Sequence, residues 1–176
     1  MDFILRTPRL TLRPLRLSDA PALNRIANQP HILKRMPDWH STLADTEGLI
    51  RFLLPQYAAA NRSTARVLFA VCLQDTLIGV VGIGNKEEVD NEIEIAYFIA
   101  EEYTRRGYAA EAAQAAARWA LDTLRLEYLI AIVEPDNAPS RRVVEACGFQ
   151  KLETHWIVNS GETEAKPFDY YRLYPV

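Results

Sequence analysis

The sequence predicts a mixed α/β domain, α+β in character, with one central, mostly antiparallel sheet of about seven strands and helices on both faces. Three observations predict it. Three strand-like segments follow one another between residues 66 and 99, joined by short turns, which implies an antiparallel meander. The run Tyr128-Leu-Ile-Ala-Ile-Val133 is apolar almost throughout, as expected of a buried strand with a parallel neighbour. The chain has 176 residues, roughly one domain's worth, so residues 1–176 are read as a single domain.

The elements follow in order. Leu10, Leu12 and Leu15 mark a first strand over residues 9–15. Ser18-Asp19 reads as a cap for a helix carrying Leu23, Ile26 and Ala27. Residues 29–41 hold Pro30, Pro37, Trp39 and His40 and read as irregular. A second helix spans about Leu43 to Ala60, where Pro55 must kink or divide it. Arg66–Leu73, Leu77–Gly84 and Asn91–Ile99 are the meander, and Lys86–Asp90 is a charged turn. Ala109–Leu124 is Ala-rich and helical. After the 128–133 strand, Pro135–Pro139 is a turn and cap. Ser140–Cys147 is a helix stopped by Gly148. Gln150–Trp156 and Phe168–Tyr174 are the last strands, with a polar loop over 159–166.

Composition excludes several classes. Leu, Ile, Val and Phe make up about 27% of the chain and charged residues 24%, so disordered, collagen-like and coiled-coil readings fall away. The net charge of −3 lacks the basic excess of a general nucleic-acid binder, so no direct nucleic-acid binding is expected. Cys72 and Cys147 give neither a disulfide framework nor metal spacing, and His31, His40 and His155 are scattered, so no metal is expected. Arg6, Arg9 and Arg13 break any signal-like apolar run, and no segment approaches the ~20 apolar residues of a membrane span. The expectation is a cytoplasmic protein without a membrane partner, either a monomer or a homodimer.

The segment most informative about chemistry is the strand over 91–99, the loop Thr104-Arg-Arg-Gly-Tyr-Ala109, and the helix after it. Free backbone N–H groups at a helix start make an anion site. Gly107 permits close approach or positive φ, and Arg105 and Arg106 add charge. A phosphate or pyrophosphate is the implied ligand. The spacing matches neither nucleotide-hydrolysing nor dinucleotide fingerprints. The alternative is an ordinary solvated turn.

Four motifs in register bear on that choice: Glu94-Ile-Ala-Tyr-Phe-Ile99, Arg105-Arg-Gly-Tyr-Ala-Ala-Glu-Ala112, Asn137-Ala-Pro-Ser140 and Glu145-Ala-Cys-Gly-Phe149. Together they resemble the GNAT superfamily of acyl-CoA-dependent N-acyltransferases. The opening Thr7-Pro-Arg-Leu-Thr-Leu-Arg13 and closing Asp169-Tyr-Tyr-Arg-Leu173 resemble its ribosomal-protein N-acetyltransferase (RimJ/RimL-like) branch. The resemblance implies a sheet splayed between its fourth and fifth strands, with acetyl-CoA as co-substrate in the V and no metal. It places pantetheine along Tyr97, Phe98 and Ile99, and the pyrophosphate on Arg105, Arg106, Gly107, Tyr108 and Ala109. Asn137 and Ser140 would face the thioester. Thr104 departs from the Gln or Arg that often opens the loop. Val144 stands where many members carry a Tyr that protonates the thiolate, and the branch resemblance points to Ser140 near that thiolate instead.

The reaction so implied needs a neutral amine, and an aliphatic amine of pKa about 10 is mostly protonated at pH 7. Glu92, Glu94, Glu134 and Asp136 are the candidate bases, with Glu92 and Glu94 on one strand face as possible solvated carboxylates. The resemblance puts Glu94 nearest the cofactor cleft, acting through water. Glu111, in the first turn of its helix, reads as a loop brace. Trp39, Trp156, Tyr170 and Tyr171 are candidates for the acceptor side or for the core. The acceptor is a primary amine, with a protein N-terminal α-amine preferred. The alternatives are a small-molecule acetyltransferase, acting on an antibiotic or polyamine, and a CoA-binding sensor without turnover.

Overall fold

The computed structural model describes residues 3–61, 63 and 65–176. Its strands are β1 (Leu5–Arg6), β2 (Leu10–Pro14), β3 (Arg66–Leu73), β4 (Thr76–Lys86), β5 (Glu92–Ile99), β6 (Leu129–Val133), β7 (Gln150–Ile157) and β8 (Lys166–Leu173). The helices are α1 (Ala20–Ala27), α2 (Pro30–Leu33), α3 (Leu43–Leu53), α4 (Gln56–Ala59), α5 (Tyr108–Leu124) and α6 (Ala138–Ala146). One sheet runs β1-β2-β3-β4-β5-β6-β8-β7. All its neighbours are antiparallel except β5 and β6.

Among the described residues the sheet therefore has eight strands where seven are expected. The extra one, β1, has two residues paired with Leu12 and Thr11, too short to show a period. Pro55 divides the second helical segment: α3 ends at Leu53 and α4 begins at Gln56. Thr42 starts α3 with a capping box, its hydroxyl accepting from the Asp45 N–H at 3.2 Å while Asp45 accepts from the Thr42 N–H at 2.9 Å. The stretch expected to be irregular contains α2, with Pro30 in its first turn, and a 3₁₀ turn at Pro37–Trp39.

Every position from Val67 to Cys72 of β3 is buried, so both faces of the sheet are covered. On one face Trp119 of α5 meets Phe69 edge-on, ring centroids 5.1 Å apart. Asp19 is buried and neutralised: Arg13 grips it with two hydrogen bonds of 2.8 Å, and the Arg16 N–H donates to it at 2.7 Å. No helix among the described residues is long and apolar enough to cross a membrane.

The feature that makes a site lies at the parallel pair. β5 and β6 share one ladder position, Glu94 opposite Ile130. Beyond it they part, while β4 stays paired with β5 as far as Gly79 opposite Ile99. Gly79 is required there, because a Cβ would sit 2.2 Å from the Phe98 carbonyl oxygen. The strand end over 97–99 thus lies close on β4 on one side and pairs with no strand on the other among the described residues.

Candidate active site

The gap between β5 and β6 opens into a cleft of about 1130 Å3. Of the expected cofactor residues, Tyr97, Phe98, Ile99, Arg105, Gly107, Tyr108, Ala109, Asn137 and Ser140 all line it. Arg106 does not. Its carbonyl accepts from Arg9 at 2.8 Å, and its guanidinium lies over the Tyr103 ring. On either side of it Arg105 and Gly107 both adopt left-handed φ, +61° and +80°, within one turn-and-bend reversal of the chain.

That reversal leads straight into the first turn of α5, whose N–H groups have no carbonyl of the same helix to meet. Left-handed residues beside a helix start concentrate N–H groups into an anion-binding concavity. The loop is held from behind. Glu111 accepts from the Thr7 hydroxyl at 2.6 Å, the Arg9 N–H at 2.9 Å and the Arg9 Nε at 2.7 Å. Arg9 also covers the Tyr108 ring, 4.5 Å from its centroid. Burial alone would raise the Glu111 carboxyl, but these donors hold it below the usual carboxylate range.

On the opposite arm Asn137 caps α6, accepting from the Ser140 N–H at 3.3 Å. Across the V, the Tyr97 hydroxyl lies 2.9 Å from Ser140 Oγ and 3.2 Å from the Ser140 carbonyl. No local spacing announces this contact, since the two residues are 43 positions apart. Val144 is buried and carries no donor.

The four candidate carboxylates separate clearly. Glu92 is saturated by the Tyr128 and Tyr170 hydroxyls, each at 2.6 Å, and by Arg172 at 3.1 Å. Glu134 and Asp136 are both paired with Arg35, at 3.0 and 2.7 Å. Glu94 lines the cleft and has no hydrogen-bond partner among the described residues. Burial pushes its carboxyl up to about 7, with Lys86 pulling down and Glu88 and Asp38 pushing further up.

The far side of the cleft is walled by Asp38, Trp39, Asn159, Ser160 and Phe168. Trp39 packs edge-on to Phe98 at 4.8 Å. The segment around Gly161 rests on the 3₁₀ turn, a Cβ at Gly161 falling 3.0 Å from the Asp38 nitrogen. Trp156 lies elsewhere, 73% exposed on the edge strand β7, while Tyr170 and Tyr171 are buried in the core. His31, which sequence spacing left unassigned, also lines the cleft, its Nε2 3.0 Å from the Ile99 carbonyl.

A cleft between splayed parallel strands, with a helix start at one end and at the splay a carboxylate unpartnered among the described residues, is the geometry that the expected acyl-CoA-dependent acyltransferase requires. Comparison places the chain more narrowly. Residues 9–150 match the family model described as an acetyltransferase (GNAT) domain, and the chain belongs to that family. The uncharacterized N-acetyltransferase p20 of Bacillus licheniformis is 30% identical over 152 residues, covering 84% of this chain and 82% of its own. YdaF of Bacillus subtilis (strain 168), which carries a provisional ribosomal N-acetyltransferase name, is 29% identical over 147 residues, covering 80% and 77%. Mycobacterium smegmatis RimJ, solved in complex with a CoA-disulfide, shares the fold with a TM-score of 0.78 at 23% identity, covering 97% of this chain and 85% of its own. The chain is thus a GNAT acetyltransferase, and its relatives include one that carries a ribosomal N-acetyltransferase name.

Proposed function

We propose that the protein transfers the acetyl group of acetyl-CoA to a primary amine by direct attack within a ternary complex. The observation that carries this reading is Glu94, a carboxylate with no hydrogen-bond partner among the described residues at the point where β5 and β6 separate. It shares one cleft with the amides beginning α5 and with Ser140. The fit to the co-substrate rests on the concavity at Arg105–Ala109, which suits a pyrophosphate, and on the open edge at Tyr97–Ile99, which suits pantetheine amides.

When bound, acetyl-CoA supplies a thioester whose acyl carbon accepts the amine. The C–N bond forms and the C–S bond breaks. Glu94 takes the amine proton through a water, and with a carboxyl near 7 it is matched to that task at neutral pH. Backbone N–H groups where the strands part stabilise the oxyanion. Ser140 lies beside the departing sulfur. A thiolate of pKa about 8.5 leaves readily, so holding amine and thioester together supplies much of the rate.

For the acceptor, the branch relationship favours a protein N-terminal α-amine. The contact of the Gly161 segment with Asp38 favours a second reading, a small amine enclosed on that side. The test is CoA thiol release with peptides of free and blocked N-terminus, polyamines and aminoglycosides, alongside a melting scan with acetyl-CoA and EDTA. Ligand at about 100 times its Kd adds about 2.7 kcal/mol of stability, a clear upward shift. No shift at millimolar acetyl-CoA overturns the co-substrate.

A further inference from the structure

We infer that Tyr97 is a positioning residue for the leaving group, donating its hydroxyl hydrogen to Ser140 Oγ so that the single Ser140 proton is free to point at the sulfur of coenzyme A. The inference rests on the acetyl-CoA reading above. It begins from valence. A serine hydroxyl has one proton and two lone pairs, and a phenol also has one proton. Tyr97 Oη lies 2.9 Å from Ser140 Oγ and 3.2 Å from the Ser140 carbonyl, so two arrangements satisfy the pair. In one, Tyr97 donates to the carbonyl and Ser140 donates back to Tyr97, which spends the serine proton on the protein. In the other, Tyr97 donates to Oγ and the serine proton faces the cleft that both residues line.

A negative sulfur beside Ser140 selects the second arrangement, because a hydrogen bond to a charged acceptor is about twice as strong as a neutral one. The phenol then polarises the serine hydroxyl and fixes its rotamer. It does not surrender its own proton. Burial holds the Tyr97 phenol above its ordinary value, and a thiolate of pKa about 8.5 is too weak a base to take a proton from it. Sulfur therefore departs as the thiolate, solvated by one serine O–H, while the amine proton goes to Glu94. The balance needs no further reactant.

The pair also spans the V. Tyr97 belongs to β5 and Ser140 to the first turn of α6, so the hydrogen bond ties together the two arms that diverge beyond Glu94 and Ile130. A purely structural tie predicts a loss of stability on removal of the phenol hydroxyl and nothing specific to sulfur. A leaving-group role predicts an effect read at the sulfur itself.

The experiment titrates the thiol of bound CoA by its thiolate ultraviolet absorbance, subtracting the same titration of the free protein. In the native protein the bound thiol should titrate below the free value of about 8.5. In Tyr97→Phe the midpoint should rise by about one unit, a tenfold change. The Kd for CoA should change less than twofold, and kcat should fall about tenfold. Ser140→Ala, which removes the inferred donor and leaves the phenol in place, should raise the midpoint at least as far, and it supplies the reading if Tyr97→Phe folds poorly. A native bound thiol that titrates like free CoA overturns the inference. So does a Tyr97→Phe, or a Ser140→Ala, whose bound thiol titrates as in the native protein. Failure of the native protein to bind CoA overturns the acetyl-CoA reading instead, and the inference falls with it.

Discussion

Glu94 and Ile130 face each other at the one ladder position shared by β5 and β6. The proposed base therefore sits at the apex of the V and not along its wall, where one strand ends its pairing and the cleft begins. This placement explains both its burial and its lack of a partner among the described residues. A carboxyl raised to about 7 is costly to ionise in the fold, so Glu94 should reveal itself in stability as well as in rate.

Glu94→Gln should lower kcat by ~10²-fold or more with the acetyl-CoA KM nearly unchanged, and activity should recover as pH rises and the amine deprotonates itself. The stability sign is opposite. The folded-state carboxyl is raised above its unfolded value, so the ionised form penalises the fold as pH rises through the window from about 4.5 to about 7. The variant should match the native protein near pH 4 and exceed it by about 1–3 kcal/mol at pH 8. Urea unfolding at both pH values reads this directly. A native pH–rate profile from the variant would falsify the base assignment.

Gly79→Ala tests the closeness of β4 to the strand end proposed to face the cofactor. The new methyl would lie 2.2 Å from the Phe98 carbonyl oxygen and 3.0 Å from Ile99 Cα, both backbone atoms that cannot swing aside. The strands must separate, at a cost of about 1–3 kcal/mol. The edge over 97–99 shifts with them, so the Kd for acetyl-CoA should rise at least several-fold. Unfolding and calorimetric binding of one sample check both effects, and native values for both would show that β5 yields more easily than its contacts imply.

Local chemistry was legible in the sequence and distant partnership was not. The turn over Arg105–Ala109 could be read because it lies in consecutive backbone positions, and Gly107 adopts the left-handed φ that its place before a helix suggested. Pro55 and the 66–99 meander were legible for the same reason. Arg106 is expected at the cofactor site and does not line the cleft, and the left-handed φ of Arg105 beside it is a turn that residue type does not encode. Glu92 and Glu94 share a strand face and look alike in sequence. They differ because Tyr128, Tyr170 and Arg172, brought in from β8 and the approach to β6, saturate only the first. The Tyr97–Ser140 contact and the exposure of Trp156 likewise arise from how strands are ordered in the sheet.

Gly107→Val should act on the cofactor before it acts on the fold. At φ +80° a β-branched residue costs about 1–2 kcal/mol, and its Cβ would press on the Arg9 guanidinium at 3.3 Å. The loop would relax away from the left-handed conformation and scatter the amides. Affinity for acetyl-CoA should fall more than tenfold while the far-ultraviolet circular dichroism stays native. Arg105→Ala should cost less, because an exposed charge contact is typically worth ~1 kcal/mol or less. Native affinity in Gly107→Val would mean that the phosphates are held elsewhere.

Glu111→Ala separates bracing from chemistry. The carboxylate accepts from Thr7, the Arg9 backbone and the Arg9 side chain, and so fastens the segment before β2 to the first turn of α5. Glu111 is largely shielded while Arg9 is 45% exposed, so the Arg9 side-chain contact counts for less than the two other donors. A loss of about 1–3 kcal/mol is expected at pH 7. Because the folded-state carboxyl is depressed, its stabilisation is present above the unfolded value and is lost as pH falls through the folded one. The gap between variant and native protein should therefore shrink below about pH 4. Acetyl-CoA should bind more weakly, since the loop loses its brace, yet kcat at saturating acetyl-CoA should stay within a few-fold of native. A collapse of kcat with native stability would instead place Glu111 in the chemistry, and paired urea titrations at pH 7 and pH 3 with initial-rate kinetics decide between the two.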